Sequence, residues 1–92
     1  MKRFEDKVII VTGAAAGIGK ASAERIASEG GRVVCTDIQM EAVTATAKEI
    51  RDAGGEALAL SCDVSDPNDV AKAIQATISE YGKIDSLCNI AG

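Results

Sequence analysis

The chain has 92 residues, 47% of them hydrophobic and 26% charged, with a formal net charge of −4. That composition is ordinary for one soluble globular domain and excludes a disordered or fibrous chain. Basic and acidic residues are interspersed, Phe4 and Tyr81 are the only aromatics, and no apolar run approaches the roughly 18 residues of a membrane span, which argues against a nucleic-acid face, a base-stacking platform and a membrane anchor.

Met1 to Asp6 is a polar lead-in, with Phe4 placed to cover the bottom of a sheet. Lys2-Arg3 precede too short an apolar stretch for a signal peptide. The domain pattern starts almost at once, which fits a cytoplasmic protein. Lys7 to Val11 reads as the first strand, because Val8-Ile9-Ile10-Val11 are all β-branched and suit burial on both faces. The first helix is predicted over Ile18 to Glu29 and is closed by Gly30-Gly31. Ile18, Ser22 and Ile26 give it a weak apolar stripe, while Ala21, Ala23 and Ala27 are small enough for a close approach to the sheet.

Arg32 to Thr36 is the second strand, and Asp37 stands at its end. The second helix is predicted over Glu41 to Ala53, with Val43, Ala47 and Ile50 on one face and Gly54-Gly55 as its stop. Its last turns carry Lys48, Glu49, Arg51 and Asp52, which read as a solvated face. Ala57 to Leu60 is a third strand of weaker β-propensity, closed by Ser61-Cys62. A third helix opens at Asp66-Pro67, with Asp as N-cap and Pro at the first helical position. Val70, Ile74, Ile78 and Tyr81 form its apolar stripe, and Gly82 ends it. Ile84 to Asn89 is the fourth strand.

Three cysteines, Cys35, Cys62 and Cys88, fall in or beside strands with no C-x-x-C spacing. They read as small buried side chains in a reducing compartment. With no histidine and no paired cysteines, zinc is not expected, and no metal site is assigned.

The β-α-β-α-β-α-β alternation favours right-handed parallel crossovers. The expected architecture is α/β: a three-layer, Rossmann-type doubly wound parallel sheet of order 3-2-1-4. Helices leave opposite faces between the first and fourth strands, so a crevice opens at the carboxyl ends of those strands.

The stretch Thr12 to Gly19, Thr-Gly-Ala-Ala-Ala-Gly-Ile-Gly, sits over that crevice where a strand becomes a helix. A helix N-terminus carries unpaired N–H groups and about half a positive charge. Glycine there lets an anion touch the backbone, so the stretch has the parts of a phosphate-binding turn. Its spacing, Gly13-x-x-x-Gly17-x-Gly19, is longer than the common dinucleotide fingerprint. A P-loop does not fit, since five residues separate Gly13 from Gly19 and Ala21 stands where a magnesium-binding hydroxyl belongs.

Asp37 lies 18 residues beyond Gly19, close to the offset of the acid that bonds the ribose hydroxyls of NAD. A carboxylate there also repels a 2′-phosphate. Two unit charges about 4 Å apart cost roughly 4 kcal/mol at an effective dielectric near 20, a factor of about a thousand in affinity. None of Ala14, Ala15 or Ala16 is basic, so the pattern selects NAD over NADP. Without a ligand, Asp37 would be a solvated strand-end acid or a helix cap.

Taken together, T-G-x-x-x-G-I-G after the first strand, an acid after the second, Asp63-Val64 after the third and Asn89-Ile90-Ala91-Gly92 after the fourth resemble the short-chain dehydrogenase/reductase family. The resemblance runs from Lys7 to Gly92. It implies that Gly13 shapes the turn, that the backbone from Ala14 through Ala15, Ala16, Gly17 and Ile18 approaches the ribose and pyrophosphate, and that Gly19 packs helix on strand. Asp37, with Ile38 beside it, would hold the adenosine ribose. Asp63 would bond the adenine amino group and Val64 the ring, though Asp63 also reads as a turn acid capping nearby N–H groups. Asn89 matches the first Asn of the family's Asn-Asn-Ala-Gly segment, Ala91 and Gly92 would line the nicotinamide-side ribose, and Ile90 departs from the usual second Asn.

The resemblance implies an NAD-dependent oxidoreductase acting on an alcohol or ketone, homo-oligomeric at full length, of which this is the N-terminal cofactor-binding portion. The family's Tyr-x-x-x-Lys machinery lies downstream, and no catalytic residue is assigned here. Tyr81 is followed four residues on by Asp85, which would raise a phenol's pKa, and it reads as core. Two other readings stand beside this one: a non-catalytic dinucleotide-binding module, and a methyltransferase-like domain, which also places an acid after the second strand.

Overall fold

A computed structural model describes residues 3–90. Four strands and three helices alternate: β1 (Val8–Val11), α1 (Gly17–Ser28), β2 (Arg32–Asp37), α2 (Met40–Asp52), β3 (Glu56–Ser61), α3 (Pro67–Tyr81) and β4 (Ser86–Cys88). All pairings are parallel, in the order β3-β2-β1-β4. This is the expected doubly wound topology.

Strand alternation assigns the two faces of the sheet. Ile9, Val11, Val33, Cys35 and Ala57 join Ala23 and Ala27 of α1 and Val43, Ala47 and Ile50 of α2 in one core cluster. Ile10, Thr36 and Leu87 point the other way and share a cavity wall with Val70, Ala73 and Ile74 of α3. The first layer is the tighter one. On the α3 side, Ile74, Ile78 and Leu87 keep 39%, 49% and 54% exposure, so the predicted α3 stripe is only partly covered and the deepest contacts of α3 come from Ala73 and Thr77.

Several boundaries move for identifiable reasons. Strand β4 is shorter than predicted because only Ser86–Cys88 find partners, on Ile9–Val11. Strand β3 is longer, since six residues from Glu56 to Ser61 pair with β2 through Asp37. Helix α1 does not bury Ile18, which is 74% exposed. It buries Gly19, Ala23 and Ala27 instead, because small side chains at i, i+4, i+8 let the helix axis approach the sheet and turn the bulkier stripe aside. Phe4 packs against the same core.

The charges at the end of α2 are exposed, as expected of a solvated face, and they are also paired. Lys48 pairs with Asp52 at 2.9 Å, Glu49 reaches Lys20 of α1 at 2.9 Å, and Arg51 Nη1 donates to the Ala57 carbonyl at 2.9 Å. Asp85 does not act on Tyr81 as the spacing suggested. Its carboxylate accepts from the Val8 N–H at 2.8 Å, and the Tyr81 phenol is pushed up first by burial and then by Glu56 and Glu80.

Candidate cofactor site at the glycine turn

The turn between β1 and α1 is strapped to both neighbouring strands. On the β4 side, the Thr12 N–H donates to the Cys88 carbonyl at 3.0 Å. The Thr12 hydroxyl donates to Asn89 Oδ1 at 3.0 Å and accepts from the Ile90 N–H at 2.9 Å. On the β2 side, the Ala14 N–H donates to the Thr36 carbonyl at 3.0 Å, and the buried Thr36 hydroxyl donates to the Val11 carbonyl at 3.1 Å.

Gly13 and Gly17 take left-handed conformations, with φ of 64° and 61°, which side chains other than glycine rarely adopt. Gly19 is needed for a different reason: a Cβ there would lie 2.0 Å from the Gly13 carbonyl oxygen. The start of the helix therefore rests directly on the turn.

Helix α1 begins at Gly17 with Ala16 as N-cap, without a side-chain cap and without an acid in its first turn. Its leading N–H groups keep their donor capacity and the positive end of the helix dipole. Helix α3 is the internal contrast: Asp66 accepts from the Asn68 N–H at 2.9 Å and Asp69 sits in the first turn. That end is already neutralised by the chain itself. Among these termini, α1 is the one that an anion would complete.

Asp37 stands at the lip of the same turn. Its Oδ2 accepts from the Ala15 N–H at 3.1 Å and its Oδ1 from the Gln39 N–H at 3.0 Å. Asp63, after β3, forms the same kind of turn: Oδ1 accepts from the Ser65 N–H at 2.9 Å and the Ser65 hydroxyl at 2.6 Å. The hydroxyl first, and then the N–H, hold the Asp63 carboxyl below its ordinary range. The Cys62 N–H donates to the Asp37 carbonyl at 3.0 Å, tying the two turns together.

Each acid is followed by an exposed aliphatic residue, Ile38 at 64% and Val64 at 56%. With Ile18, they surround the carboxyl ends of the strands with apolar surface. A cavity of about 270 Å³ runs from Thr12, Asn89 and Val64 down between the sheet and α3. A larger one, about 440 Å³, lies at the opposite end beside Gly30-Gly31 and Gly54-Gly55, where Glu49 and Glu56 are already paired with Lys20 and Arg32.

Gly13, Ala15, Ala16, Gly17, Ile18 and Asp37 thus belong to one continuous piece of surface, with Gly19 buried beneath it against the turn. Ile38, Asp63, Val64 and Asn89 border it. Ala91 and Gly92 lie outside the described residues. Thr12 and Thr36 had no role assigned from the sequence, yet their hydroxyls hold the turn. The available signal was a hydroxyl residue at the carboxyl end of β1 and again before the acid of β2.

A family model described as short chain dehydrogenase matches residues 7–92. The chain belongs to the short-chain dehydrogenase family. Among curated relatives of this family, the short-chain reductase protein NovJ of Streptomyces niveus is 43% identical over 88 residues, covering 96% of this chain and 34% of that protein. The 7alpha-hydroxysteroid dehydrogenase of Bacteroides fragilis is 40% identical over 92 residues, covering 100% of this chain and 36% of that protein. The crystal structure of a hydroxysteroid dehydrogenase from Escherichia coli superposes with a TM-score of 0.96 at 40% identity, covering 98% of this chain and 38% of the other. The chain therefore spans about a third of the length of the curated relatives it matches. These relatives are dehydrogenases and reductases by name. No helix among the described residues is long and apolar enough to cross a membrane.

Proposed function

We propose that this chain is the NAD-binding portion of a short-chain dehydrogenase that oxidises an alcohol or reduces a ketone. The observation that carries the reading is the pairing of an uncapped helix N-terminus at Gly17 with the Asp37 carboxylate, joined through the Ala15 N–H at 3.1 Å. A dinucleotide needs both features within one diphosphate's reach: donors for its bridge and an acceptor for its adenosine ribose.

The residues present fit that group. The N–H groups at the start of α1 would hold the pyrophosphate. Gly17 leaves open space where a Cβ would stand, with no atom within 4 Å. Asp37 would accept from the ribose hydroxyls and exclude a 2′-phosphate. Ile38 and Val64 would flank the adenine, with Asp63 near its amino group, and Asn89 would lie on the nicotinamide side. The nicotinamide ring supplies the hydride chemistry when bound. The chain's contribution is grip and orientation, and the proton-transferring groups belong to residues beyond this segment.

Calorimetric titration with NAD tests the reading, with S-adenosylmethionine as the competing adenosine ligand. The proposal expects saturable binding of NAD and none of S-adenosylmethionine. The reverse order of affinities overturns it.

A further inference from the structure

The hydrogen bond from the Ala15 N–H to Asp37 Oδ2 gives the acid a second task. We infer that Asp37 is a positioning residue for the phosphate-binding turn, so that choice of adenosine sugar and grip on the diphosphate are coupled through one side chain. The inference rests on the cofactor reading above and extends it.

The turn is held at three places. Two of the ties use buried groups beneath it: the Thr12 hydroxyl, and the carbonyl of Thr36. The third uses the half-buried carboxylate at its lip. Ala15 immediately precedes the N-cap Ala16, so this tie lies directly upstream of the first helical N–H groups. Ala16 has no side-chain cap of its own, and the space where a Gly17 Cβ would stand is open. On the exposed side, the bond to Asp37 is what fixes the approach to the helix. It also means that the Ala15 N–H is engaged by the protein and is not one of the donors offered to an anion.

Both carboxylate oxygens are used, Oδ2 for Ala15 and Oδ1 for Gln39. Each oxygen retains a further lone pair for a sugar hydroxyl, so holding the turn and bonding a diol are compatible. Asparagine brings only one acceptor oxygen, and its NH₂ would face an N–H. It can keep one tie or the other, not both. A substitution chosen to relax rejection of a 2′-phosphate therefore also loosens the turn. For a diphosphate the two effects oppose one another: losing the negative charge favours the anion, while losing the tie disfavours it.

A probe without the diol removes the sugar contacts from the comparison, and setting Asp37→Ala against Asp37→Asn, both uncharged, removes the charge. Amide exchange at Ala15 is measured by NMR in the whole chain without ligand, and 2′,3′-dideoxyadenosine 5′-diphosphate is titrated by calorimetry. In Asp37→Ala, exchange at Ala15 is expected to rise about tenfold, the low end for a hydrogen bond to a charged acceptor, while the β1 and β2 amides stay protected. Where Asp37→Asn keeps the Ala15 tie, Asp37→Ala is expected to bind the dideoxy probe severalfold more weakly than Asp37→Asn does. Asp37→Asn provides a second reading: either Ala15 or Gln39 exchanges faster. Unchanged exchange at Ala15 in Asp37→Ala, or equal binding of the probe by Asp37→Ala and by an Asp37→Asn that keeps the Ala15 tie, overturns the inference. If the unsubstituted chain binds neither ADP nor the dideoxy probe, the cofactor reading fails, and the exchange data still decide whether Asp37 holds the turn.

Discussion

A Cβ on Gly19 would stand 2.0 Å from the carbonyl oxygen of Gly13. No flexible side chain can yield there, since the obstacle is the backbone of the turn itself. Gly19→Ala is expected to push α1 away from the turn, destabilise the chain by about 1–3 kcal/mol as an overpacked contact does, and weaken NAD binding at the same time. Gly17→Ala meets no atom but must hold a positive φ, at about 1–2 kcal/mol. Urea titration monitored by circular dichroism ranks the two; a Gly19→Ala chain as stable as the parent contradicts the close approach.

Thr12 is predicted to act through its hydroxyl alone. Thr12→Val preserves shape but leaves the Ile90 N–H and Asn89 Oδ1 without their partner. Its expected cost is about 0.5–1.5 kcal/mol, that of a hydrogen bond whose freed partners water can reach, since Asn89 is exposed and Ile90 half-buried. Thr12→Ser is expected to retain most of the stability. Equal losses in both variants would show that the methyl group, not the bridge to β4, matters.

The three thiols should react in a set order. Burial pushes the Cys35 thiol up to about 11. Cys62 is raised too, by burial first and then by Asp69, Asp63 and Asp66. Cys88 is half-buried at the sheet's edge. Since the thiolate is the nucleophile, a disulfide reagent at pH 8 is expected to label Cys88 quickly and the other two only on unfolding. A fast phase that survives Cys88→Ser contradicts this.

Acid stability should depend on Asp85. The Val8 N–H, and then Lys83, hold its carboxyl below the ordinary 3.8. A depressed folded-state value means that the stabilising contribution is present above the unfolded-state pKa. It is lost as pH falls through the folded value. Thermal midpoints measured from pH 6 down to pH 2 should therefore fall more steeply below about pH 4 for the parent chain than for Asp85→Asn. Parallel curves would remove Asp85 from the account.

The sheet order was legible because strand and helix patterns alternate and parallel crossovers leave few topologies. The glycine turn was legible because its spacing has a mechanical reason. The buried face of α1 was legible in part: the small Ala23 and Ala27 were read as allowing a close approach and are buried with Gly19, while the stripe through Ile18 is not the packed one. The straps were hidden for another reason. Thr12 meets Asn89 across 77 positions of sequence, and a hydroxyl at the end of a strand does not by itself say which group it will meet. Asp63 was legible as a turn acid capping nearby N–H groups, and Asp37 makes the same i to i+2 bond; the Cys62 N–H that joins the two turns was not, because it forms only when β3 pairs with β2.

The proposed function turns on Asp37 selecting an adenosine ribose without a 2′-phosphate beside the amides of α1. Its most direct test is the ratio of NAD to NADP dissociation constants, measured by calorimetry on the parent chain and on Asp37→Ala. The parent chain is expected to prefer NAD by up to about a thousandfold, a preference that collapses in the variant. A parent chain that binds NADP as well as NAD, or a preference that survives Asp37→Ala, would contradict it.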